Sequence, residues 1–141
     1  MDAGQHRVRR TGRADSVRVE YALPAQLTSA HWARLLTAGF LTGPRATKQA
    51  REQLDEAQLV VSELVTNAVR HGRTRCRLRL TAHQDEVTVE VTDSGPGAPV
   101  RGEPEARRES GRGLLLVHHL TRRLHTTRHA HGGKTVRAVL A

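Results

Sequence analysis

The spacing of apolar residues changes between residues 52 and 93, and this change constrains the fold more than any other feature. From residue 52 to 71, apolar residues recur at helical spacing, which predicts an amphipathic helix. The apolar stripe of this helix consists of Ala57, Val60, Val61, Leu64, Val65 and Ala68. Two segments of alternating character follow, 75–82 and 87–93, and these predict strands joined by a short turn.

The other elements predict two layers. A half-buried strand is expected over 17–23 and a helix over 32–40. A further helix is expected over 114–124, and a closing hairpin around Gly132 and Gly133. Strands and helices mixed in one short chain predict a two-layer α/β (α+β) sandwich, with the helices covering one face of the sheet.

The N-terminal segment differs from the rest of the chain. Residues 1–15 are polar and basic and show no clear period, so we predict a flexible basic tail there and one domain over 16–141. The single cysteine, Cys76, excludes an internal disulfide and favours a reducing, cytoplasmic setting. The sequence contains no long apolar run, so we expect no membrane span.

The formal net charge is +9, which permits binding to nucleic acid or another polyanion. The basic residues are spread along the chain, however, and aromatic residues make up only 2% of it. Platforms on which bases stack are therefore not expected, and the composition disfavours nucleic-acid recognition. A solvated, arginine-rich surface explains the charge more simply.

The segment ELVTNAVRHG, residues 63–72, places Glu63 and Asn67 at the edge of the apolar stripe. Because they are four residues apart, their side chains are neighbours on the helix surface. A carboxylate can serve as a general base, and an amide oxygen is a suitable ligand for Mg²⁺. Taken alone, the simpler explanation is a polar pair that faces water.

The segment DSGPG opens with Asp93, which period two places on the buried face of its strand. A carboxylate there requires hydrogen bonds, and an amine on a ligand would supply them. Gly95 and Gly97 would let the backbone approach a flat ligand closely. Taken alone, this segment is also an ordinary β-turn composition.

A third segment, GRG, comprises Gly111, Arg112 and Gly113 at the start of the helix predicted over 114–124. Exposed backbone N–H groups and the positive end of a helix dipole suit a phosphate. This pattern alone is weak, since a plain helix start explains it too. The long segment 94–110 before it is rich in Gly, Pro and charge, as is typical of a lid or of disorder.

The three segments occur in order, with GKT near the end of the chain. This set resembles the Bergerat-type ATPase superfamily of histidine kinase-like ATPase domains, which includes type II topoisomerases and sensor histidine kinases. The resemblance spans roughly Val17 to the C-terminus, and it is closest to bacterial anti-sigma factor serine/threonine kinases and related stand-alone ATP-binding regulators. It implies a Bergerat-type ATP-binding fold with a mixed, mostly antiparallel sheet.

The resemblance also implies roles for single residues. Glu63 matches the catalytic glutamate that activates the attacking hydroxyl, Asn67 the asparagine that coordinates Mg²⁺, and Asp93 the aspartate that binds the adenine amine. Thr135 matches a threonine near the adenine pocket. The glycines that match those bordering the nucleotide are Gly95, Gly97, Gly111 and Gly113.

Three basic side chains near these motifs are weaker candidates. Arg70 and His71 follow the glutamate–asparagine segment at positions where family members often carry basic or polar residues. Arg112, between the two glycines, is our own candidate for contact with a phosphate.

The function implied is that of a cytoplasmic, ATP- and Mg²⁺-dependent serine/threonine protein kinase. Its partners would be a sigma factor and an antagonist protein, and the resemblance also implies a homodimer. The first alternative is an ATP-binding regulator that sequesters a partner without transferring phosphate. A more remote alternative is a polyanion or nucleic-acid binder.

Overall fold

The computed structural model of the protein describes residues 6–10, 16–44, 46–95 and 115–140. The strands in these residues are β1 (His6–Arg10), β2 (Ser16–Leu23), β3 (Cys76–His83), β4 (Glu86–Asp93), β5 (Thr121–Arg128) and β6 (Lys134–Leu140). The helices are α1 (Thr28–Leu41), α2 (Lys48–Glu52) and α3 (Leu54–Gly72), and residues 115–120 are also helical.

The described strands form one sheet in the order β1-β2-β3-β4-β6-β5. We expected a mixed, mostly antiparallel sheet, and each pairing among these strands is antiparallel. α3 packs on the central strands with α1 beside it, so the predicted α+β architecture is confirmed. None of the described helices is both long and apolar enough to cross a membrane.

The core forms where the helical stripe meets the alternating strands. All six apolar residues predicted for the stripe of α3 are buried. They face the inward residues of the central strands, among them Leu78, Leu80, Val87 and Val89, each 0% exposed. α3 ends at Gly72 because Arg73 adopts a left-handed conformation, with φ of 54°, and its N–H bonds the Val69 carbonyl.

The predicted helix over 114–124 is wrong in its second half. Helical residues end at 120, and Thr121 begins β5, which forms a hairpin with β6. The hydroxyl of Thr121 donates to the Val117 carbonyl at 2.8 Å, at the point where the helix ends. Leu124, which fits the helical spacing, instead pairs with Ala138 and packs against the core from the edge strand.

The predicted flexible tail is wrong for His6–Arg10. These residues form β1, an edge strand in register with Val17–Tyr21 of β2. The pairing satisfies backbone N–H and C=O groups that β2 would otherwise leave open. Edge pairing gives little sequence signal here, because a single apolar residue, Val8, stands among polar ones. Residues 1–5 and 11–15 lie outside the described residues.

Candidate functional site

Asp93 lies at the end of β4, on the sheet face that the helices cover. Its cross-strand partners are Cys76, the first residue of β3, and Lys134, the first residue of β6. Asp93 is only 4% exposed, so its side chain is buried as period two predicts. A buried carboxylate needs partners to offset its lost hydration.

Both carboxylate oxygens of Asp93 have such partners. The backbone N–H of Gly95 donates to Oδ1 at 3.1 Å, and the ammonium of Lys134 lies 3.3 Å from Oδ2. The Lys134 side chain is itself only 12% exposed. Sequence reasoning missed Lys134, although alternation in β6 would identify it once the pairing of β4 with β6 was known.

Three glycines bring backbone segments close to Asp93. A Cβ on Gly72, at the end of α3, would lie 2.9 Å from the Cβ and Cγ of Asp93. A Cβ on Gly95 would overlap the backbone of Gly72, and a Cβ on Gly133 would overlap the carbonyl oxygen of Asp93. Gly133 also has a φ of 89°, which favours glycine. Any side chain at these positions would therefore displace Asp93 or its supports.

Cys76 shares this environment but has no nucleophilic character. Burial, and secondarily the charge of Asp93, raise the pKa of the Cys76 thiol to about 11. The thiol is therefore protonated at neutral pH, and a protonated, buried thiol is unreactive. The neighbourhood of Asp93 suits ligand binding rather than covalent chemistry.

Glu63 and Asn67 lie on the same edge of α3, and both are half-buried. The side-chain oxygen of Asn67 is fully shielded from solvent and receives no hydrogen bond from any described residue. The carboxylate of Glu63 forms no hydrogen bond or ion pair with another residue in the described part of the chain. Neither polar side chain is therefore paired with a core residue that the structure describes.

The helix sets the order of these groups. Asn67 lies five residues before Gly72, or about 7.5 Å along the helix axis, and Glu63 nine residues before it, or about 13.5 Å. Gly72 contacts Asp93, so Asp93, Asn67 and Glu63 follow one another from the end of α3 towards its middle. An elongated ligand with a base at one end and charge at the other fits this order.

The structure does not bring Thr135 to Asp93. Thr135 pairs with Thr92, and alternation places both side chains on the other face of the sheet. There the Thr135 hydroxyl lies 2.8 Å from the hydroxyl of Thr92 and 2.8 Å from Nε2 of His129. The residue of β6 that faces Asp93 is Lys134, which precedes Thr135 in the chain.

The remaining candidates differ in what the structure describes. Arg70 is exposed and His71 half-buried in the last turn of α3. Gly97, Gly111, Arg112 and Gly113 lie outside the described residues.

A comparison with protein families identifies the domain. The family model described as the histidine kinase-like ATPase domain matches residues 23–140. The chain belongs to this family. The match therefore begins at the last residue of β2 and covers helices α1 to α3 and strands β3 to β6. A comparison with curated proteins finds no match.

Membership supports ATP as the ligand of the ATPase domain. The polar groups around Asp93 and along α3 all lie within the matched residues. The candidate site therefore lies within the matched domain.

Proposed function

We propose that the ATPase domain is an ATP- and Mg²⁺-dependent serine/threonine protein kinase of the anti-sigma type. It phosphorylates a serine or threonine of an antagonist protein and binds a sigma factor. Family membership supports ATP binding. The finer assignment is supported by the two polar groups on α3, which the core does not use.

The observation that carries the proposal is the buried oxygen of Asn67, which lacks a hydrogen bond from the described residues. Leaving a buried acceptor unpaired costs about 1–3 kcal/mol, so its retention favours a ligand that pairs with it. An amide oxygen is a hard ligand of the kind Mg²⁺ takes. Asn67 would hold Mg²⁺, which in phosphoryl transfer neutralises charge on the phosphate oxygens.

The proposal assigns roles to the other candidate residues as well. Asp93 accepts a hydrogen bond from the adenine amine. Glu63, farther along α3, accepts the proton of the substrate hydroxyl while the oxygen of that hydroxyl bonds to the γ-phosphorus of ATP. The bond from that phosphorus to the bridging oxygen breaks, and ADP leaves. Gly111, Arg112 and Gly113 are proposed to contact the phosphates through backbone N–H groups and a guanidinium.

The test compares Glu63→Gln with Glu56→Gln, an exposed position in the first turn of the same helix. Phosphate transfer from labelled ATP is measured on candidate antagonist proteins, and nucleotide affinity by calorimetry. We expect Glu63→Gln to reduce transfer by about 100-fold or more, because a general base contributes on that order. ATP affinity should stay nearly constant, and Glu56→Gln should match the wild type.

Undiminished transfer by Glu63→Gln would remove Glu63 from the chemistry. If the wild type binds ATP but transfers phosphate to no candidate, the kinase proposal fails. A regulator that sequesters its partner without phosphotransfer would then be favoured, and sequestration should persist in Glu63→Gln.

A further inference from the structure

We propose that Lys134 recognises the nucleotide base together with Asp93, by donating to the ring nitrogen next to the exocyclic amine of adenine. This inference rests on the proposed nucleotide site at Asp93. It assigns to Lys134 a role in base specificity, which is distinct from phosphate binding or the transfer step.

The burial of Lys134 is the first observation. Lysine side chains normally keep the ammonium group in water. The chain contains two lysines, and Lys48 follows this rule on the exposed surface of α2. Lys134 does not, since its side chain is 12% exposed and its ammonium lies 3.3 Å from a carboxylate that is 4% exposed. A buried ion pair is weak evidence for stabilisation, because desolvation can exceed the attraction.

The hydrogen-bonding capacity of the pair is the second observation. An ammonium group has three donors, and the only partner of Lys134 among the described residues is Oδ2 of Asp93. Asp93 accepts one bond from Gly95 and one from Lys134, whereas a carboxylate can accept about four. With respect to the described residues, the pair therefore holds spare donors and spare acceptor capacity side by side.

This donor–acceptor arrangement is complementary to adenine. The exocyclic amine of adenine is a donor, and the ring nitrogens on either side of it are acceptors. The amine would donate to Asp93 while an adjacent ring nitrogen accepts from Lys134. Guanine has a carbonyl acceptor where adenine has its amine, so guanine in the same orientation would face Asp93 with an acceptor. In that orientation the pair favours adenine by the direction of its hydrogen bonds.

The test measures equilibrium binding of ATP, 1-deaza-ATP and 7-deaza-ATP to the full chain by calorimetry. Each analogue replaces one of the two ring nitrogens by C–H, which removes the acceptor but keeps the amine. We expect one analogue to bind the wild type about 10- to 100-fold more weakly than ATP, as the loss of a hydrogen bond to a charged donor implies. Lys134→Met should bind that analogue and ATP equally.

Lys48→Met is the matched control, and it should discriminate like the wild type. Lys134→Gln guards against misfolding of Lys134→Met, because its amide can still donate to Asp93. Its discrimination should fall severalfold, since a neutral donor forms a weaker bond. Circular dichroism and thermal unfolding of each variant report whether it is folded.

Two results would overturn the inference. Either both analogues bind the wild type as tightly as ATP, or the discrimination persists undiminished in the folded Lys134 variants. In both cases ATP still binds, so the nucleotide site stands and only the role of Lys134 fails. Absence of ATP binding to the wild type would instead overturn the proposed function, and this inference with it.

Discussion

The two ends of the sheet are packed in opposite ways. Where β3 begins and β4 ends, glycine backbones pack tightly at Asp93, which forms an ion pair with Lys134. Where β2 begins and β3 ends, an apolar cavity of about 310 Å³ lies between the sheet and the helices. It is lined by Val17, Gly39, Phe40, Leu41, Gly43, Pro44, Ala46, Ala50 and Ala82.

Among the described residues, this cavity and the buried charge lie at different ends of the sheet. Ala82 lies six residues from Cys76 along β3, which corresponds to about 20 Å. The cavity offers space but almost no polar groups, whereas the Asp93 end offers buried charge. In the described part of the chain, the candidate site is therefore identified by its buried polar groups.

Glycine-to-alanine substitutions at the two ends should have opposite effects on stability. Gly133→Ala places a Cβ against the Asp93 carbonyl at a φ of 89°, so we expect the free energy of unfolding to fall by about 2–4 kcal/mol. The Cβ added by Gly39→Ala, within α1, has no atom within 4 Å. This substitution should raise the free energy of unfolding by about 0.5–1 kcal/mol through helix propensity. Urea unfolding of both variants measures the difference.

The same two substitutions should also differ in their effect on ATP binding. Gly133→Ala should weaken ATP binding, because it displaces Asp93, while Gly39→Ala should leave it unchanged. Equal effects of the two substitutions on stability would contradict the contrast between the ends.

The pH dependence of stability provides a second test, specific to the Asp93 end. Burial, together with the Asp93 charge, raises the pKa of the Cys76 thiol from 9.0 to about 11. The folded protein therefore holds this proton more tightly than the unfolded chain. The resulting stabilisation is complete below pH 9 and is lost as the pH rises towards 11. Two pKa units correspond to about 3 kcal/mol.

Cys76→Ala isolates this contribution from other alkaline titrations. The difference in unfolding free energy between wild type and Cys76→Ala should fall by about 2 kcal/mol between pH 8.5 and pH 11. Urea unfolding at a series of pH values gives this difference. If the difference stayed constant with pH, the thiol would not be held protonated beside Asp93. Alkylation of folded Cys76 should also be slow at pH 8.

Local periodicity predicted the parts of the fold and site that depend on one element. The helical spacing of α3 placed Glu63 and Asn67 at the edge of its buried stripe, where both are half-buried. Period two placed Asp93 on the buried face of β4. Each of these positions follows from the geometry of a single helix or strand.

Features that depend on pairing between elements were not predictable in this way. Lys134 meets Asp93 only through the register of β4 with β6, and the same register turns Thr135 to the other face. Leu124 fits the spacing of both a helix and a strand, and pairing with Ala138 decides between them. β1 forms because β2 has a free edge, which the composition of His6–Arg10 does not reveal.

The smallest expected effect concerns the cavity end. Ala82→Val adds two methyl groups that face the cavity, on a strand that favours β-branched residues. We therefore expect the free energy of unfolding to rise by about 0.5–1 kcal/mol and the ATP affinity to stay unchanged. Thr81→Val, on the opposite face of the same strand, is the control and should change stability little. A loss of ATP affinity in Ala82→Val would mean that the two ends are coupled, and a loss of stability would mean that the cavity does not accommodate the added methyl groups. Unchanged affinity would support an apolar end that only maintains the fold and a polar end that binds the ligand.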